Sequence, residues 1–205
     1  MADVKEKIVP PQYEGGQKDI THKFTATDDD DARKLFFLAR NRLLDINNWH
    51  KVAAGISGRF TLTDQTGREL RRTAEKNDYF KIDVPGPGSI EGGGYDWAFI
   101  EAIEEKSDST GPYESIALRA RPSENPTKGE NVAHFFKDDA TSSFIVERKG
   151  RELSASVIGR NEMPNTSTSN VIDKVRNAIV GSSAIAGLAK IQWKSLVKGL
   201  LSTEK

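Results

Sequence analysis

Apolar and polar positions along the chain change period twice. Residues 1 to 20 show no period of 2 or 3.6 and are punctuated by Pro10-Pro11 and Gly15-Gly16. That predicts a flexible N-terminal tail over residues 1–20 and one domain over residues 21–205. Residues 21–27 are rich in β-branched side chains and predict a first strand. Four aspartates at 28–31 then precede Leu35, Phe36, Leu38, Ala39, Leu43 and Ile46, spaced for one face of a helix. Aspartate oxygens cap the free amides of a first helical turn, and their charge suits the positive end of the helix dipole. A second short helix carries Trp49, Val52 and Ala53, with Asn47-Asn48 at the break.

From Gly58 onward the period becomes two. Residues 59–64, 79–84, 95–105, 113–121, 144–148 and 153–160 alternate, and most are separated by turn-forming residues such as Gly111-Pro112 and Lys149-Gly150. Six antiparallel strands follow from this. Two interruptions stand out. Residues 85–94 hold seven glycines and prolines and read as a hairpin connection, and residues 122–139 form a long loop that is a candidate lid. The helical period returns over residues 171–201. Val171, Val175, Ile179, Ile185, Ala189, Trp193, Leu196, Val197 and Leu200 keep to one stripe. A continuous helix of that span is about 46 Å long at about 1.5 Å per residue. Its middle is rich in Gly, Ser and Ala, which permits close backbone approach or marks a bend.

The predicted class is α+β: a curved antiparallel sheet of about seven strands wrapped around a long C-terminal helix, with a short helix pair after the first strand. This order, with the Trp49 segment after the first helix and the long final helix, resembles the START-like helix-grip superfamily (SRPBCC). That group includes polyketide cyclases, pollen-allergen-like proteins and lipid-transfer domains. The resemblance covers residues 21–201 and lies in element order, not in a residue motif, so it carries over no catalytic residue. It implies a cavity between sheet and final helix. The long 122–139 loop and the glycine-rich 85–94 segment depart from the pattern.

Composition narrows the function classes. Thirty basic and thirty acidic side chains leave no net charge, whereas a nucleic-acid binder needs a basic footprint. The absence of cysteine excludes disulfides, thiolate nucleophiles and Cys zinc sites. No apolar run reaches about 18 residues, so no transmembrane helix is expected. The first residues lack the apolar core of a secretory signal, and a cytoplasmic location is the expectation.

Candidate chemistry is sparse. His22, His50 and His134 lack metal-site spacing, the aspartates lack the alternation of a calcium loop, and no Gly-x-Ser-x-Gly elbow occurs. No metal or cofactor is implied. Lys190, Lys194 and Lys198 line a solvated side of the final helix. One face of the 95–105 strand gathers Tyr95, Trp97, Phe99 and Glu101, and the other Asp96, Ala98, Ile100 and Ala102. Alternation alone does not say which face lines a cavity.

The leading reading is a carrier or binding protein for a small apolar molecule or lipid, with Trp49, His50, Tyr95, Trp97, Phe135, Phe136 and Trp193 as candidate ligand contacts. A second reading is a cyclase- or hydrolase-like enzyme on the same scaffold, using His50, Asp96, Glu101 and Arg160. A third is a filled core that works by protein–protein contact, a homodimer included.

Overall fold

A computed structural model describes residues 4–54, 58–83, 94–107, 111–127, 139–163 and 183–203, with side chains of the final helix from residue 191 onward. The first strand, expected over residues 21–27, is β1 (Gly16–Thr25) and begins within the expected tail; the alternating segments become β2 (Arg59–Thr63), β3 (Tyr79–Asp83), β4 (Asp96–Ser107), β5 (Tyr113–Ser123), β6 (Thr141–Lys149) and β7 (Glu152–Glu162). They pair antiparallel in the order β1-β7-β6-β5-β4-β3-β2, so β1 and β2 are the two edges. The helices are α1 (Val4–Ile8), α2 (Asp29–Leu44), a 3-10 turn (Ile46–Asn48), α3 (Trp49–Val52) and α4 (Ser183–Leu200). The expected helix-grip architecture is therefore the observed one.

Helix α2 starts where the aspartates predict. Asp28 is extended at the N-cap, and its Oδ1 accepts the Asp31 amide at 2.8 Å. Ala32, Leu35, Phe36, Ala39, Leu43 and Leu44 are buried on the concave side of the sheet. Leu38, placed on that face by spacing alone, is instead 42% exposed. The buried stripe runs through Leu35, Ala39 and Leu43, which turns position 38 sideways.

On the concave face the sheet presents Leu62, Phe80, Ala98, Ile100, Leu118, Phe144, Val157 and Ile20, in register across the strands. A β-bulge between Ile100 and Ala102 shifts the period of β4 by one residue. Ile103, not Ala102, therefore joins the concave core, and Ala102 turns to the convex side.

Helix α4 closes the concave side with Leu196, Val197 and Leu200, the stripe its period predicts, while Lys194 and Lys198 are exposed. The Arg42 guanidinium donates to the carbonyls of Gly199 and Leu200 at 3.1 and 3.3 Å, a cationic cap on the negative end of α4. Burial pushes that guanidinium below its ordinary pKa. The close backbone approach falls at Gly199, where a Cβ would lie 1.8 Å from the Val52 carbonyl oxygen. The Gly/Ser/Ala segment at 181–187 and residues 84–93 and 128–138, on which the expected hairpin connection and candidate lid fall, lie outside the described side chains.

The N-terminal stretch differs from the expected tail. Val4 and Ile8 are buried on the convex face against Ala117, Ile145 and Ile158. Arg119 Nη1 and Ser143 Oγ both donate to the Ile8 carbonyl, at 2.9 and 3.3 Å. Asn161, 1% exposed, accepts the Tyr13 amide at 3.0 Å through Oδ1 and donates through its own amide to Gln12 Oε1 at 2.9 Å. A five-residue helix carries too few apolar positions to show a period, so its cover of the sheet was not readable from pattern.

Among the described residues one ion pair is fully buried. Arg148 Nε lies 2.5 Å from Glu114 Oε2, with side-chain exposures of 2% and 0%. The same guanidinium donates to the carbonyls of Gly150 and Gly111, at 3.0 and 2.9 Å. It thus ties the start of β5 to the β6–β7 turn.

Two outcomes follow. Gly→Ala inside an ordinary helix stabilises by about 0.5–1 kcal/mol; Gly199→Ala is expected to reverse that sign and destabilise by about 1–3 kcal/mol through overpacking. Urea unfolding decides it, and an unchanged or raised midpoint contradicts the backbone contact. Glu114→Ala strands a buried guanidinium and is expected to cost about 3–5 kcal/mol, whereas Glu114→Leu with Arg148→Met recovers most of that loss. Equal unfolding midpoints for the single and double variants would contradict the pair's role.

Candidate functional site

The concave core is aromatic where α3 and α4 meet the sheet. Trp49 is fully buried and its Nε1–H donates to the Leu43 carbonyl at 3.0 Å, so the indole is held in one orientation. Its ring centroid is 5.3 Å from Phe60, 6.1 Å from Phe80 and 4.7 Å from Phe144. Trp193 of α4 stands at 6.1 Å from Phe60 and 5.3 Å from Phe144. Trp193 is half-buried, as are Ile82, opposite Phe60, and Ile103, opposite Leu118 in the row that also holds Phe144.

The structure thus brings together two of the expected contacts, Trp49 and Trp193, through Phe60 and Phe144. The latter two were missed as site residues, although the alternation of β2 already puts Phe60 beside Leu62 on one face. Tyr95 and Trp97 go elsewhere. Trp97 pairs with Lys81 and Ser123, on the side of β4 opposite Ala98, and is 7% exposed. Its ring edge lies against the turn at Gly67, whose φ is +75°. Lys81 Nζ sits 4.9 Å from the Tyr95 ring centroid on that same convex side. Phe135 and Phe136 lie outside the described residues.

The acid–base candidates do not converge. Glu101 is on the convex face, where Arg119 donates to it at 2.7 Å and Arg121 also bonds it. Arg160 pairs with Asp19 at 2.6 Å, between β1 and β7. Asp96 is buried opposite Ile82 on the concave side. His50 is on α3, near edge strand β2. Among the described residues no group of three or more side chains could hold a metal ion, and no helix is long and apolar enough to cross a membrane.

His50 faces an open groove of about 850 Å³ beside edge strand β2. Lys51, Arg59 and Arg71 line it with His50; half-buried Leu70 supplies apolar surface, and the core residue Phe60 borders it. The groove is built by one side chain from the 3-10 turn. Asn47 Oδ1 accepts the Leu62 amide at 2.9 Å, and Asn47 Nδ2 donates to the Leu70 carbonyl at 2.8 Å. Leu70 in turn donates its amide to the Leu62 carbonyl at 2.9 Å. Further along the same segment, Arg72 grips Asp78 through two hydrogen bonds, at 2.7 and 2.8 Å, which raises the guanidinium's pKa. The Lys81 ammonium, hydrogen-bonded to Glu69, holds that carboxyl below the ordinary carboxylate value. Nothing in the sequence pattern joins positions 47–51 to 59–71, so this groove needed the fold to be seen.

No family model matches the chain, and no curated protein matches it. Similar folds occur among solved structures. Two structures of ginseng major latex-like protein 151 from Panax ginseng are 12% and 10% identical to this chain, with TM-scores of 0.34 and 0.36; each comparison covers 87% of this chain and 99% of the other. Ara h 8.0201 is 10% identical with a TM-score of 0.31, over 88% and 99%. At these identities and scores the likenesses carry no inference about what this chain binds or does.

Asn47→Ala removes one donor and one acceptor from two half-buried backbone partners. An expected loss of about 1–3 kcal/mol, read by thermal unfolding, is halved by Asn47→Asp, which keeps the acceptor. A stability equal to the parent's in both variants would show that the groove walls do not depend on this side chain.

Proposed function

We propose that the chain is a small-molecule binding protein of the START-like helix-grip type, holding an apolar ligand between the concave face and α4. The observation that carries the reading is the state of Trp193. This indole stands over Phe60 and Phe144 at ring-contact distance yet remains half-buried, and the neighbouring Ile82 and Ile103 are half-buried too. Apolar surface contributed by both sheet and helix is left incompletely covered, which is what a ligand-binding surface of this fold requires. The separation of His50, Glu101 and Arg160 over three parts of the sheet gives the enzyme reading no comparable support.

The test uses a neutral probe, N-phenyl-1-naphthylamine, together with native and denaturing mass spectra of freshly purified protein. Saturable one-site binding with quenched tryptophan emission is expected. Trp193→Ala is expected to weaken it about tenfold, equivalent to about 1.4 kcal/mol, while Phe99→Leu on the convex face leaves it unchanged. A non-covalent adduct lost on denaturation supports the reading and weighs the ligand. A clean mass with no saturable probe binding overturns it in favour of a filled core.

A further inference from the structure

We propose that the groove at the β2 edge is a second binding site, for an amphiphilic organic anion whose oxyanion head meets Arg59 and Arg71 and whose apolar part lies on Leu70. This inference does not rest on the concave-face site. The whole chain has no net charge, with thirty basic and thirty acidic side chains, so a local excess of one sign is informative. The groove collects Lys51, Arg59, Arg71 and Arg72 against two carboxylates, Asp45 and Glu69.

Both carboxylates are already engaged. Glu69 accepts from Lys81 at 2.8 Å, and Asp45 Oδ2 accepts from Asn48 Nδ2 at 2.8 Å. Arg72 is held by Asp78. The side chains of Lys51, Arg59 and Arg71 form no ion pair or hydrogen bond with another described residue, although the charge of Arg71 acts on Glu69, and they come from three different segments, α3, β2 and the connection after β2. His50 adds a buried Nδ1 with no hydrogen-bond partner among the described residues.

The head-group chemistry follows from the side chains. Two guanidinium forks match the paired oxygens of a carboxylate or phosphate, and Lys51 adds a point charge. The wall does the rest: half-buried Leu70, beside the core residue Phe60, offers apolar surface that a free inorganic ion does not use. A volume of about 850 Å³ is ample for a charged head with a short chain or ring. Asn47 and the Leu70–Leu62 bond fix the walls beforehand, so little ordering is required on binding.

The experiment is calorimetry and amide NMR on the full chain with four probes: octyl phosphate and octanoate below their micelle concentrations, octanol and inorganic phosphate. At least one of the two amphiphilic anions is expected to bind saturably and to shift the His50 and Leu70 amides. Which of them binds assigns the head to the phosphate or carboxylate class. Arg59→Gln with Arg71→Gln is expected to weaken it more than about tenfold at an unchanged unfolding temperature, because both side chains are exposed. Arg59→Lys with Arg71→Lys restores part of the affinity. Trp193→Ala leaves it unchanged, which separates this site from the concave face. The proposal is overturned by binding of neither anion, by octanol or inorganic phosphate binding as tightly, or by an undiminished affinity in the double Gln variant.

Discussion

The concave side of a seven-stranded sheet has to be covered by something that touches both of its halves, and Trp49 is that piece. Its ring reaches Phe60 and Phe80 on the β2–β3 side and Phe144 on the β6 side, and its N–H is satisfied by the end of α2. Each such ring pair contributes about 0.5–1.5 kcal/mol beyond area burial. Because α3 is only four residues long, its place is set by this one side chain and not by helix propensity. The position of α4 depends on it in turn. Gly199 meets the Val52 carbonyl at the end of α3, and Trp193 stands on the same phenylalanines that Trp49 touches.

Polar ties hold what the aromatic layer does not reach. At the far end of the strands the buried Arg148–Glu114 pair joins the two hairpins. Such a pair adds little net stability relative to an apolar replacement, but it selects one register, since only there do guanidinium, carboxylate and two carbonyls coincide. On the convex face Arg119 bridges Glu101 on β4 and the Ile8 carbonyl at the end of α1, so the N-terminal segment is pinned to the bulged part of β4.

Much of this was legible in the chain. Alternation located β2 to β7, the aspartates before α2 placed its start, and the stripe of α4 ends on Leu196, Val197 and Leu200 as its period requires, whereas the first half of β1 lies in residues expected to be tail. The failures have distinct physical causes. The bulge at Ile100 to Ala102 inverts parity without leaving a turn residue behind, so Ala102 and Ile103 exchanged faces. Tyr95 and Trp97 belong to a strand with apolar residues on both faces, where alternation cannot say which face is concave. Val4 and Ile8 are too few to make a pattern. The groove joins side chains that meet only because a short edge strand and the 3-10 turn share Asn47.

Phe60 connects the two surfaces and also limits their communication. Its ring belongs to the concave layer, in contact with Trp49, Phe80 and Trp193, and the same residue borders the groove. A groove occupant that lies beside Phe60 leaves those three contacts intact and adds no strain inside. An interior ligand that swung the ring aside would forfeit contacts of about 0.5–1.5 kcal/mol each and disturb the groove it borders at the same time. Occupancy of the two surfaces is therefore either independent, when Phe60 stays in place, or mutually opposed, when it moves. Reciprocity then requires each ligand to weaken the other by the same factor. A packed ring shared by two surfaces has no arrangement in which its displacement helps both.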